Sequence, residues 1–302
     1  MLEIISVGDH YQTVDPDQGL ANLKAAAAEV CRERFRRIDR FTQLALIGSG
    51  RCVQNTAQST EGVELDSQTG LYIGSRFASG GNTIKVHEQM ISAGIVPKPA
   101  SFINTLSNSA GYFVARNLGL EGRNLFVSRG DASIVAALQL AAMDMATGTV
   151  SQALVGAVDE AVLPLSHHRF RLGLKPETVM GEGSHWLLVA PGNSANSLAT
   201  VTEMKTLRDE AALAGWLDGL DASREYQVSL SPWTKQQMAS TCLKSREMLT
   251  DFDPGLAAYP GYASGAMIRY LKTGAERPLI VIAADTDGRF HVVMLQPRPQ
   301  SA

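Results

Sequence analysis

The sequence is poor in the features that mark several functional classes. It has three cysteines, Cys31, Cys52 and Cys242, in 302 residues. Their odd number and lack of ligand spacing point away from both a disulfide framework and a metal site. They read as free thiols filling core space in a cytoplasmic protein. No run of about 20 apolar residues is free of charges or breakers, so no transmembrane helix is expected. The start, MLEIISVGDH, has no basic leader segment and no cleavage signal. Positive charge is not in excess either. The formal net charge of −3 argues against nucleic acid as a partner. Charged residues make up 19% and hydrophobic residues 45%, the balance of a globular chain able to bury a large core.

The most informative stretch is GRNLFVSRGDASIVAALQLAAMDMATGTVSQALVGAVDEA, Gly122 to Ala161. Leu125 to Ser128 is a short β-rich run, broken by Arg129-Gly130-Asp131. Gly130 can take backbone angles that other residues resist. From Ala132 to Ala146 nearly every position is apolar, which predicts a helix inside the protein with Met143 and Met145 in its core. Gln152 to Val158 resumes as a buried strand. Many enzymes place a nucleophile at such a strand-to-helix turn. Here the turn holds Asp131, whose residue type also suits a helix N-cap.

Strands and buried helices alternate along the rest of the chain, which predicts an α/β fold. Leu2 to Val7 is a first strand, Gln18 to Arg37 a helix, and Phe41 to Val53 a helix that tolerates Gly48 and Gly50. Arg32, Arg36 and Arg40 recur every four residues, so they would share a helix face if the helix persisted. Such a face is either solvated or a dock for an acidic partner. GSRFASGG, from Gly74, lacks a GK[ST] ending and is not a phosphate loop, and no cofactor is expected. His167 and His168 fall in a polar loop and read as a solvent-facing pair. His185 reads as a satisfied structural histidine. Lys235 to Leu249 reads as a helix. No His/Cys/Asp/Glu cluster supports a metal.

The order of motifs resembles the thiolase fold, and within it the β-ketoacyl synthases. GLYIGSRFASGG is similar to the family's early strand and loop. GAVDEA is similar to the strand after the long helix, and MGEGSHWLLVA to the G-E-G hairpin. YPGYASGAMIRYL is similar to the late G-H-x-x-G-A turn, and LIVIAADTDGRFHVVML to the final hairpin. The resemblance implies two related βαβ halves, with mixed five-stranded sheets around buried helices. Residues 1–195 would form the first half and residues 196–302 a shortened second half.

The resemblance also implies a site of one cysteine and two histidines. VSRGDAS stands where the family has T-A-C-x-S, and Asp131 occupies the cysteine position. VSLSPWTKQ stands where H-G-T-G-T is expected and contains no histidine. Tyr262 follows Gly261 where the second histidine belongs. No catalytic residue is therefore expected, with Asp131 and Tyr262 as degenerate positions. Ser128, Gly130, Ser133, His167 and His168 are candidates for lining a substrate channel. Arg32, Arg36 and Arg40 are candidates for docking a carrier protein. The function implied is a non-catalytic subunit, similar to a chain-length factor, paired with an active ketosynthase in polyketide or fatty-acid assembly on an acyl carrier protein. The alternatives are an enzyme of altered chemistry (a malonyl-thioester decarboxylase or an acyl-thioester hydrolase or transferase) and a homodimeric acyl-thioester-binding scaffold.

Overall fold

A computed structural model describes residues 1–15, 19–57, 65–192, 197–238, 241–244, 246–274 and 276–298. The chain opens with β1 (Leu2–Val14), α1 (Lys24–Val30), α2 (Arg40–Ala57), β2 (Gly70–Gly74) and α3 (Gly80–His87). A π-helical turn, Glu88–Ser92, extends α3. There follow α4 (Pro99–Ile103), α5 (Ser109–Leu118), β3 (Asn124–Val127), α6 (Ser133–Ala146), β4 (Ala153–Asp159), α7 (Leu165–Arg171) and β5 (Met180–Pro191). The remainder is β6 (Ala199–Leu207), α8 (Glu210–Asp218), β7 (Tyr226–Leu230), α9 (Pro232–Gln237), α10 (Thr241–Lys244), β8 (Leu249–Asp251), α11 (Tyr262–Lys272), β9 (Leu279–Ala284) and β10 (Phe290–Pro297).

The strand order is β3-β2-β4-β5-β1-β6-β10-β9-β7-β8. Counted within each group of five, the order is 3-2-4-5-1 in both. In each group three parallel strands are followed by two antiparallel ones. The sequence carries no visible repeat, so this internal duplication is a property of the backbone alone. The two groups are the expected five-stranded mixed sheets. They are joined edge to edge by a short pairing of Leu2–Ile4 with Ala199–Val201. The boundary expected at 195/196 lies outside the described residues.

Helices α6 and α11 occupy the same place in the two groups, between the third and fourth strands. Both contribute to the largest core cluster, with Ile134, Val135, Leu138 and Ala141 from one and Met267, Ile268 and Tyr270 from the other. The expectation for α6 needs one correction. Met145 is buried, but Met143 is 64% exposed and Leu140 36%. A 14-residue helix under one sheet presents one flank outward however apolar it is. Three other expectations shift. The first helix is only Lys24–Val30, and the arginines beyond it are not helical. His167 and His168 lie in α7 rather than a loop. The expected helix from Lys235 to Leu249 is replaced by α9, α10 and β8, with residues 239–240 and 245 outside the described set.

Gly48 and Gly156 have a shared reason. Trp186 on β5 is fully buried, and its indole lies between α2 and β4. A Cβ on Gly156 would stand 2.3 Å from Trp186 Cδ2, and one on Gly48 2.6 Å from Cδ1. The helix-propensity cost of Gly48 is offset by burying that ring. Gly156→Ala is expected to lower the unfolding free energy by about 1–3 kcal/mol through overpacking, read from urea titration.

Candidate functional site

Between β3 and α6 the chain makes a 3-10 turn, Gly130–Ala132, with Gly130 at φ +57°. That angle lies in the left-handed region that favours glycine. The turn packs against α11 and β9. Asp131 is 4% exposed. It does not cap α6, whose N-cap is Ala132 with no side-chain hydrogen bond. The N-cap expectation fails because the carboxylate turns toward the second half of the molecule instead.

What it meets there is Ser231, the residue after β7. Ser231 Oγ donates to Asp131 Oδ2 through a short hydrogen bond. Ala284 N donates to Thr234 Oγ1 at 3.0 Å, and Thr234 Oγ1 lies 2.9 Å from Ser231 Oγ. Since Ser231 spends its proton on Asp131, Thr234 donates to Ser231. The relay thus runs in one direction, from the Ala284 amide to the Asp131 carboxylate. Ser231 also caps α9, accepting from Thr234 N at 3.1 Å.

Arg76, from the loop after β2, approaches from the other side. Its Nη1 lies 3.6 Å from Asp131 Oδ1, an atom with no hydrogen bond among the described residues. The guanidinium sits over the rings of Trp233 (5.4 Å) and Phe77 (5.5 Å). Its backbone N–H and Ser75 Oγ both donate to Asp159 Oδ1 at 2.9 Å. A Cβ on Gly261 would lie 3.5 Å from Asp159 Oδ2, which places the start of α11 beside the same carboxylate. Tyr262 is the first residue of α11 and is 6% exposed. The turn with Asp131, the segment from Ser231 and the turn at Gly261 therefore converge around Arg76.

The electrostatics follow from burial. Desolvation pushes Asp131 up to about 6, opposed by Ser231 and Arg76, and pushes Asp159 up to about 7. Burial also raises the Tyr262 phenol to about 12. His168 is buried, with Nε2 unpartnered and its ring edge-on to Phe77, and burial lowers it to about 4. His167 is exposed, so the two histidines do not act as a pair. His185 is structural as expected: it is fully buried, 3.1 Å from Tyr259 Oη through Nδ1. Ser128 is exposed and donates to Arg76 O at 3.0 Å. Ser133 is buried and bonds within the turn, donating to Gly130 O at 2.7 Å and accepting from Arg129 N at 2.8 Å. Among the described residues no group of acids, histidines and cysteines could hold a metal ion.

The arginine candidates separate. Arg40 begins α2 and turns inward, with Nε 2.8 Å from Oε2 of the fully buried Glu182. It is a structural ion pair and not a dock. Arg32, Arg34, Arg36 and Arg37 lie on the irregular segment after α1. With Lys24 they line a surface groove of about 720 Å³. Sequence reasoning marked Asp131 and Tyr262 but passed over Arg76, Asp159, Ser231 and Trp233. The Asp159-Glu160 pair directly after an apolar strand was the available signal.

Residues 12–173, more than half of the chain, match the family described as "Beta-ketoacyl synthase, N-terminal domain". The chain belongs to the β-ketoacyl synthase family. No curated protein matches it in sequence. Many solved structures share the ketosynthase fold. One, described as the ishigamide ketosynthase/chain length factor, has a TM-score of 0.72 at 20% identity, covering 98% of this chain and 99% of that one. A β-ketoacyl synthase from Burkholderia phymatum STM815 reaches 0.75 at 14% identity, with the same coverage. A type II polyketide acyl-carrier protein in complex with its ketosynthase bound to the hexaketide gives 0.72 at 13% identity, again covering 98% and 99%. The three stretches that the resemblance in sequence marks, VSRGDAS, VSLSPWTKQ and the turn at Gly261, hold Asp131, Ser231 and Tyr262.

Asp131 holds its proton more tightly folded (about 6) than at its ordinary value of 3.8, so its contribution to stability is lost as pH rises across that interval. Asp131→Asn, uncharged throughout, should gain stability relative to the native protein between about pH 4 and pH 7, measured by urea unfolding. A difference that does not change with pH would count against this. Separately, Arg40→Ala leaves Glu182 buried without its ion pair and should cost about 3–5 kcal/mol. Arg34→Ala should fall within about 0.5 kcal/mol.

Proposed function

We propose that this chain is a non-catalytic, chain-length-factor-like subunit that pairs with an active β-ketoacyl synthase in polyketide or fatty-acid assembly. The observation that carries the reading is the content of the three family positions. A condensing enzyme needs a thiolate to take the acyl group and imidazoles to stabilise charge formed on decarboxylation. Asp131, Ser231 and Tyr262 offer neither group. Asp131 and Ser231 are bonded to each other within a relay that ends on the backbone of β9. A buried carboxylate so engaged is a poor nucleophile, and an acyl-aspartate anhydride would be a poor carrier of a growing chain.

The surface supports a partner. β3 stands at the end of the strand order and pairs only with β2 among the described strands. An open edge of this kind invites another strand. Helices α5 and α6 both pack against β3, and both expose apolar side chains: Tyr112 (55%) on α5, and Leu140 and Met143 on α6. Phe102, Ile103 and Leu106, each at least 50% exposed, precede α5 in the chain. We assign this face to the ketosynthase subunit, which would supply the cysteine and histidines. The basic groove of Lys24, Arg32, Arg34, Arg36 and Arg37 is assigned to the acidic acyl carrier protein. The similarity to a ketosynthase/chain length factor is in keeping with the first assignment. Ser128 and Gly130, at the turn, are the channel candidates that remain in reach of an acyl chain at that face.

Co-expression with the ketosynthase of the same system should give a stable one-to-one complex on size-exclusion chromatography. Changing the partner's active-site cysteine should abolish condensation, whereas Asp131→Ala here should leave turnover within about threefold. Loss of turnover on Asp131→Ala, with complex and fold intact, would sink the proposal. Monomeric behaviour on co-expression would do the same.

A further inference from the structure

We propose that Arg76 is a built-in plug, whose side chain occupies the vestigial reaction centre and keeps acyl thioesters out of this subunit. The inference deepens the subunit reading and rests on it for the choice of ligand. It goes beyond the loss of catalytic groups: the site is filled as well as inert.

Arg76 contacts two of the three segments that the family resemblance marks and holds the carboxylate beside the third. Its guanidinium reaches Asp131 at the nucleophile turn and stacks on Trp233, two residues past Ser231. Its backbone N–H holds Asp159, the carboxylate beside Gly261. Its carbonyl accepts from Ser128 on the approach to the turn. The side chain is 20% exposed while Asp131 beneath it is 2%, so Arg76 spans from the surface to the floor of the site.

The seat is rigid. Trp233 is 6% exposed, and its Nε1 donates to Leu172 O at 2.6 Å. Asp131 is held by Ser231 from the opposite side. The guanidinium also lies over the Phe77 ring, 5.5 Å from its centroid. A planar cation set over aromatic rings and beside a carboxylate is a preorganised arrangement. A thioester entering this space would have to lift the guanidinium from both rings. It would also strand the Asp131 carboxylate, whose Oδ1 has, among the described residues, no hydrogen bond and Arg76 as its one ion-pair partner. A neutral thioester offers no charge to replace what it displaces.

The probe is decanoyl-pantetheine, titrated calorimetrically into the full chain and its variants. The native protein should show no saturable binding at millimolar probe. Arg76→Ala/Trp233→Leu should bind at least about tenfold more tightly, because the competent state is no longer rare. Trp233→Leu alone keeps the Arg76–Asp131 pair and should gain less; it also keeps the test decisive if the double variant does not fold. Cooperative melting followed by circular dichroism establishes folding. The plug is refuted if the native chain binds the probe as tightly as the opened variants, or if the folded variants gain nothing. Co-purification with the ketosynthase, followed in the same variants, reads the subunit assignment separately. Its failure would remove that assignment without altering the binding comparison.

Discussion

The centre of this molecule depends on one packing constraint: α6 and α11 are buried together between two halves of a sheet with the same strand order. Each helix follows the third strand of its half, so both begin at the same end of the core. That end is where the turn Gly130–Ala132 packs on α11 and where Asp159 lies beside Gly261. Asp131 and Trp233, far apart in the chain, meet the side chain of Arg76 for this reason, and Gly261 comes beside Asp159. The hydrophobic core positions the site, and the site contributes little to the positioning.

At that meeting point the polar groups meet the demands of a folded interior. A condensing centre requires unsatisfied groups that wait for substrate. Here the polar groups largely satisfy one another. The Ala284 amide, Thr234, Ser231 and Asp131 form a directed hydrogen-bond chain, and Arg76 balances the carboxylate at its end. Desolvation raises the affinity of Asp131 and Asp159 for protons, and of Glu160, which burial pushes up to about 8. Shifts of this kind often accompany catalysis. In this protein their first cause is burial, opposed by the local partners, and they need no reaction to account for them.

The outer surface carries the complementary argument. Among the described strands β3 pairs only with β2, and apolar side chains lie exposed on the helices packed against it. The exposed methionine and leucine of α6 and the tyrosine of α5 flank that edge on both faces of the sheet. The segment of arginines adjoins α5, with Glu33 paired to Arg116 and Phe35 edge-on to Phe113. Its geometry comes from leaving the helix after Val30, with Arg32 N tied to Asn117 Oδ1.

Some of this was legible in the sequence. The alternation of apolar strands and helices specified an α/β fold, and the order of glycine-bearing motifs specified the family. The absence of cysteine and histidine at 131 and 262 could be read directly, because those positions are marked by their immediate neighbours. What the tertiary structure alone decided was every contact between distant segments. A four-residue spacing suggested that Arg40 belonged with Arg32 and Arg36. Folding sends it inward to Glu182, 142 positions away. Asp131 had the residue type of an N-cap, yet its carboxylate is claimed by Ser231, 100 positions away. Arg76 looked like an ordinary loop residue until Trp233, Asp131 and Asp159 closed around it. Local pattern reports which faces must be buried, through the period of the backbone. It does not report which buried face meets which, since that is set by packing between elements the sequence keeps far apart.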